Sequence, residues 1–235
     1  TTGVFNTAVG KCSLDQNTEG HCNVAVGALS LNKNTTGDFN VAVGFCSLRC
    51  NTTTDQNTAV GAFALNKNVA SSNTAVGKDA LACNTSGSTN AAIGISSLDA
   101  NTTGSNNVAM GTNALGANTT ADNNTAIGHE ALKTNQTGTG NTAVGRDALE
   151  TNTSNDNTAV GYEALKLNAA GTRNSAVGRN ALEANTSGDN NTSMGTNALL
   201  LNTTADNNTA FGADSLDANT TGGSNTAVGS SALTA

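Results

Sequence analysis

Proline and tryptophan are absent from the chain, and tyrosine, histidine and methionine are nearly so, with one, two and two copies. Charge is sparse as well: Asp, Glu, Lys and Arg make up 11% of residues, for a net charge of −7. Leu, Ile, Val and Phe together supply only 40 of 235 residues, a share low enough to suggest disorder. A disordered linker, however, is enriched in proline and charge, and this chain has neither. The ten lysines and arginines are scattered, which excludes the clustered basic face of a nucleic-acid binder. No apolar run approaches the roughly twenty residues that span a membrane. What remains is mostly Asn, Thr, Ala, Gly and Ser.

Those residues are arranged as a repeat, and repeats are read before local structure. The motif Asn-Thr-Ala-Val-Gly recurs with glycines at Gly10, Gly27, Gly44, Gly61, Gly77, Gly94, Gly111, Gly128, Gly145, Gly161, Gly178, Gly195, Gly212 and Gly229. The spacing is 17 residues, except for 16 between Gly61 and Gly77 and between Gly145 and Gly161. Numbering each repeat from this glycine as zero, position +4 is leucine in all fourteen repeats and position +7 is asparagine in all thirteen complete ones. Position −2 is alanine apart from Ser193, position −1 is Val, Ile, Met or Phe211, and position +3 is Ala or Ser. Charged residues collect at +1, +2, +5 and +6, where identity varies, which is how solvent-facing positions behave.

A seventeen-residue unit cannot bury an apolar face alone, so the repeats must stack. Helical repeats are longer, and Gly, Asn and Thr are poor helix formers. The pattern therefore predicts an all-β fold: a single parallel β-solenoid (β-roll) domain over 1–235, of about fourteen coils. Each coil is expected to carry one strand at Thr-Ala-Val-Gly and a second at Ala-Leu. At the normal strand spacing the stack would run about 65–70 Å. Asparagine at −4 (Asn6, Asn23, Asn40, Asn57, Asn73, Asn90, Asn107, Asn124, Asn141, Asn157, Asn174, Asn191, Asn208 and Asn225) is expected to form a structural ladder of stacked amides. Neighbouring −2 and −1 residues are both apolar although strand neighbours face opposite ways. Both faces thus look buried, and the outer one needs a cover that a second or third copy would supply, with the small Ala and Gly columns letting backbones approach.

The stretch Asn-Thr-Ala-Val-Gly-x-x-Ala-Leu resembles the head-domain repeat of YadA-like trimeric autotransporter adhesins, and the repeat arrays of bacterial and phage tail-fibre-type proteins. The resemblance covers essentially the whole chain, although these repeats are longer by an Asn-Thr-Thr-Gly turn. It implies a parallel β-roll, three chains side by side, and an adhesive or fibrous role at the cell surface, outside the cell or on a virion, with host surfaces or glycans as partners. No cofactor is expected, and no membrane span.

Candidate sites are few. Asparagine at +7 opens an Asn-x-Ser/Thr sequon at Asn34, Asn51, Asn84, Asn101, Asn118, Asn135, Asn152, Asn185, Asn202 and Asn219, which reads either as a glycan-coated surface or as a second amide ladder. Asn17, Asn68 and Asn168 keep the amide and lose the sequon, which favours the ladder. Five cysteines lie in the first five repeats, and Cys12 with Cys22, within one coil, is the candidate disulfide pair. Aspartates at +11 (Asp38, Asp55, Asp122, Asp156, Asp189, Asp206) read as turn caps, with a calcium column as the alternative. The two histidines, His21 and His129, have no triad around them, so the chain is not expected to be an enzyme. Threonine rows at +8 suggest an ice-binding solenoid as the alternative to a fibre, though Val69, Gln136 and Ala169 interrupt them. The chain opens and closes inside a repeat, so it is expected to be a segment of a longer array or to stack end to end.

Overall fold

The computed structural model describes residues 2–234. They form two compact units, one ending at Ala121 and one starting at Asp122. In the first, β1 (Thr7–Val9), β2 (Val24–Val26), β3 (Val41–Val43), β4 (Thr58–Val60), β5 (Thr74–Val76), β6 (Ala91–Ile93) and β7 (Val108–Met110) pair in sequence order, all parallel. In the second, β8 (Thr125–Ile127), β9 (Thr142–Val144), β10 (Thr158–Val160), β11 (Ser175–Val177), β12 (Thr192–Met194), β13 (Thr209–Phe211) and β14 (Thr226–Val228) do the same. Each unit is a parallel β-solenoid of coils about 17 residues long, and equivalent columns are in register: Ala159 pairs with Ala143 and Ala176. The 16-residue coils keep this register because the missing residue comes out of the turn after +7.

The core is built from alanine at −2, Ala or Ser at +3 and leucine at +4, and from Leu31 to Leu199 every +4 leucine is fully buried. Each such burial is worth about 1.5–3 kcal/mol.

The expected second strand at Ala-Leu is not formed. This stretch is a run of turns, and every +4 leucine has a left-handed backbone, φ from 47° to 54° between Leu31 and Leu199. That conformation costs an L-residue about 1–2 kcal/mol, so burial outweighs it only narrowly. The hydrogen-bond ladder nevertheless continues through the turn: the Leu31 amide donates to the Ser47 carbonyl and the Leu98 amide to the Ala114 carbonyl, each at 3.0 Å. Coil-to-coil pairing thus extends well beyond the three-residue strands.

The glycine column explains the spacing. Gly94 has φ +135°, and a Cβ there would lie 2.6 Å from the Gly111 carbonyl oxygen of the next coil. The glycine column thus sets a close backbone approach between stacked coils.

Candidate functional site

Three features of the coils bear on function: the buried amide ladders, the outer face of the strands, and one charged cluster.

Two asparagine columns work differently. At −4, Oδ1 accepts from the backbone N–H of the −4 asparagine in the next coil, as from Asn40 to Asn23 at 2.9 Å. Nδ2 donates to a carbonyl fourteen residues on, as from Asn23 to Gly37 at 2.8 Å. Every consecutive −4 pair within each unit makes the first of these bonds. At +7 the amides bond one another directly: Asn101 Nδ2 donates to Asn84 Oδ1, and Asn118 Nδ2 to Asn101 Oδ1, each at 2.8 Å. The same Nδ2 also closes its own turn on the carbonyl three residues ahead, as in Asn101 to Gly104 at 2.9 Å.

The +7 ladder breaks on entering each short coil. Asn68 and Asn152 turn Nδ2 to their own turn, onto the carbonyls of Ala70 and Ser154 at 2.6 and 2.8 Å. The Thr54 hydroxyl then caps the vacated Asn51 Oδ1. The equivalent oxygen of Asn135 is buried without a partner, because the residue matching Thr54 is Gly138.

The sequons are thus in the ladder. Asn34, Asn51, Asn84, Asn101, Asn118, Asn135, Asn152, Asn185 and Asn202 are fully buried, and Asn219 is half-buried. A fully buried amide nitrogen hydrogen-bonded into its turn has no room for a sugar, so the glycan reading fails for the folded coil at the nine buried positions. Cys12, Cys22, Cys46, Cys50 and Cys83 are all free thiols. The Cys12–Cys22 disulfide is therefore not made: Cys12 stands just after β1, whereas Cys22 leads into β2 and is held by its amide on the Val4 carbonyl.

The aspartates cap turns. Asp38 and Asp55 accept the backbone N–H of His21 and Asp38 in the preceding coils, at 2.6 and 2.7 Å, and Asp189 and Asp206 do likewise. Asp156 is displaced. In its short coil Asn155 takes the capping place, accepting from the Thr139 N–H at 2.8 Å, and Asp156 moves to a left-handed position at φ 60°. The +8 threonines are also committed. The hydroxyls of Thr18, Thr35, Thr85, Thr102, Thr186 and Thr203 each donate to the carbonyl seventeen residues on.

The outer strand face is uncovered by its own chain. Alanine at −2 points in, while −3 and −1 point out together, as the two-residue period requires. Val60, Val76, Ile93, Met110, Ile127, Val160, Val177 and Met194 are 36–40% exposed. In the second unit −3 carries a hydroxyl in every coil, at Thr125, Thr142, Thr158, Ser175, Thr192, Thr209 and Thr226. The apolar −1 residues mark this outer face in the sequence, and −3, at a two-residue period, supplies its second column.

The charged cluster lies in the second unit, at +1 and +2. The Asp147 amide donates to the His129 carbonyl at 3.0 Å, which places +1 of one coil beside +2 of the next. His129, Glu130 and Asp147 consequently hold ligand atoms within 4.8 Å of one another. One coil on, the +1 residue is Arg146, whose Nε lies 3.1 Å from Asp147 Oδ2 and whose guanidinium lies over the Tyr162 ring with Arg179 on the same ring. Glu163 and Lys166 pair at 2.6 Å. The hydrogen bond from Lys166, ahead of burial, holds the Glu163 carboxyl below its usual range, and the same bond raises the Lys166 ammonium. His21, by contrast, accepts the Val4 amide on Nδ1 at 3.1 Å and belongs to no cluster.

No protein-family model matches the chain, and neither curated proteins nor solved structures gave a match. Among the described residues no helix is long and apolar enough to cross a membrane.

Proposed function

We propose that the chain is a structural or adhesive fibre element that works outside the cell, or on a virion, by associating side by side with further copies of itself. One observation carries this reading: an apolar residue at −1 recurs on every coil and is exposed on most of them, with Val26, Val43 and Val144 half-buried. Parallel strands stack at about 4.8 Å. A partner can match such a column over many coils only if it has the same repeat, and a second copy does. Everything else that is invariant in the coil, namely the Gly, Asn, Ala and Leu columns, is accounted for by folding and stacking. This leaves no constellation for catalysis, so a non-enzymatic role is part of the proposal. The resemblance to YadA-like heads and tail-fibre-type arrays favours a homotrimer, and a host surface or its glycans as the target.

Light scattering of the purified chain tests it. The expected mass is three times the 23.2 kDa chain. Val160→Lys with Val177→Lys should return it to one chain while leaving the coil folded, because both side chains point outwards. A folded, monodisperse single chain in the unsubstituted protein would overturn the proposal.

A second reading has its own observation, the unbroken −3 hydroxyl column of the second unit beside its aliphatic −1 column. A bare, regular face of this kind suits ordered water and hence ice. The two readings make opposite demands, since one covers the face and the other needs it open. Ice-crystal shaping by a single-chain species, lost on Thr158→Lys, would favour the second.

A further inference from the structure

We propose that His129, Glu130 and Asp147 form a binding site for a divalent first-row transition cation of the zinc class. The inference is independent of the fibre reading, since it rests on +1 and +2 and not on the strand face.

The donor set selects the ion. One imidazole with two carboxylates suits zinc, nickel or cobalt, whereas magnesium and calcium take oxygen donors alone. The geometry is close to a coordination shell. His129 Nδ1 and Asp147 Oδ1 are 3.8 Å apart, too far for a hydrogen bond. Donors bound at about 2.0–2.2 Å around one zinc stand roughly 3.0–3.5 Å from each other. His129 and Asp147 need to close by about 0.3–0.8 Å, and donors as far apart as 4.8 Å by about 1.3–1.8 Å, movements that rotation of the exposed His129 and half-buried Glu130 side chains can supply.

The fixed part of the site is Asp147. Its side chain is 8% exposed, and Arg146 holds its Oδ2 at 3.1 Å, which leaves Oδ1 as the oxygen facing His129. The Asp147 amide on the His129 carbonyl locks the two coils in register at this point. Lys133 stands 3.0 Å from Glu130 Oε1, so a cation entering the site competes with a lysine for that carboxylate.

Comparison along the column supports the assignment. Glu130, Asp147 and Glu163 are three successive carboxylates at +2, each with a cation beside it, Lys133, Arg146 and Lys166. Between Asp147 and Glu163 the +1 residue is Arg146, which brings its own positive charge. Between Glu130 and Asp147 the +1 residue is His129, which brings a lone pair instead. No other coil in the sequence places histidine at +1 between carboxylates at both neighbouring +2 positions.

Calorimetric titration of the full chain with zinc chloride, in a buffer that does not chelate, tests the site. One equivalent per chain should bind, and magnesium and calcium should not compete. His129→Thr and Asp147→Asn should each weaken binding at least tenfold, since loss of even an outer partner of a ligand costs about 10- to 100-fold. Both substitutions use residues that other coils already carry at these positions, Thr112 and Thr196 at +1 and Asn113, Asn180 and Asn197 at +2, so the fold should be kept. Cobalt in place of zinc should show no thiolate charge-transfer band, which separates this site from the cysteines of the first unit. Absence of binding, or binding that survives both substitutions, would overturn the proposal.

Discussion

Asn34 Nδ2 donates to Oδ1 of Asn17 at 2.8 Å, across seventeen residues of chain and a single coil step. Repeated along the +7 column, this bond turns a polar side chain into core. Asn101 shows what it contributes: it gives Nδ2 to Asn84 and to the Gly104 carbonyl, and takes the Asn118 amide on Oδ1. Asn101→Ala removes all three bonds; the Gly104 carbonyl keeps Asn90 Nδ2 and Asn118 Nδ2 keeps the Ala121 carbonyl, so Asn84 Oδ1 is the group left buried without its donor, at about 1–3 kcal/mol. The urea midpoint should fall by the equivalent of about 2–4 kcal/mol once the other two lost bonds are included.

The same burial makes a prediction about modification. When the chain is expressed in a secretory host that glycosylates sequons, the folded protein should have the intact mass of the bare sequence, apart from partial occupancy at Asn219, which is only half-buried. Sugar found at Asn101 or Asn118 would mean that modification precedes folding and that the coil does not close.

The glycine, asparagine and leucine columns were legible because each answers a steric or hydrogen-bonding demand that every coil repeats. What was not legible was the backbone at leucine. Leucine ordinarily avoids left-handed φ, so Ala-Leu reads as strand, and only the stacked coil shows that the turn is what turns Leu98 inwards. The other left-handed columns, at −5 and +2, carry Asn and Asp in some coils but Phe39, Cys22 or Glu163 in others, which blurs the signal. Counting from the glycine also misplaced Asp156, since a deletion inside the turn shifts the count while hydrogen bonding preserves the stack. The His129 cluster joins residues eighteen apart in sequence, and nothing local marks it.

Leu115 is fully buried and left-handed, φ 51°, so its burial offsets a backbone cost in the native chain. Leu115→Ala empties part of the core, at about 2–5 kcal/mol for a buried leucine. Alanine keeps a Cβ, so the left-handed cost is not relieved. Thermal and urea unfolding should both show the full loss.

Stability should fall at both ends of the pH scale through Glu163 and Lys166. The folded Glu163 carboxyl titrates below its ordinary 4.5 because Lys166 donates to it. Its contribution is therefore complete above the unfolded value and is lost as pH falls through the folded one. Lys166 is raised above 10.5 by the same bond, so its contribution is complete below the unfolded value and is lost as pH rises through the folded one. The pair is partly exposed and worth no more than about 1 kcal/mol. Asp99 acts in the opposite sense: burial raises its carboxyl above 3.8, so ionisation opposes folding as pH rises through that range. Asp99→Asn should raise the unfolding midpoint at neutral pH, and Glu163→Gln should lower it there but not below the glutamate range.

Gly94 is the most demanding test of how the coils stack. Two separate objections meet any side chain there. The backbone sits at φ +135°, which L-residues rarely adopt, and a Cβ would stand 2.6 Å from the Gly111 carbonyl oxygen and 2.7 Å from its carbon. Neither obstacle is a flexible side chain that could swing away. The Gly111 amide is itself bonded to the Ile93 carbonyl at 2.8 Å, so moving the Gly111 peptide breaks the strand ladder between β6 and β7. Strain of this kind costs of order 1–3 kcal/mol for the backbone alone, and the clash adds to it. Gly94→Ala should therefore destabilise the first unit by more than Leu115→Ala does, although it adds one methyl and removes nothing from the core. Hydrogen exchange should show amides on β6 and β7 losing protection first. Unchanged protection on those two strands would mean that the glycine column is not what sets the approach of one coil to the next.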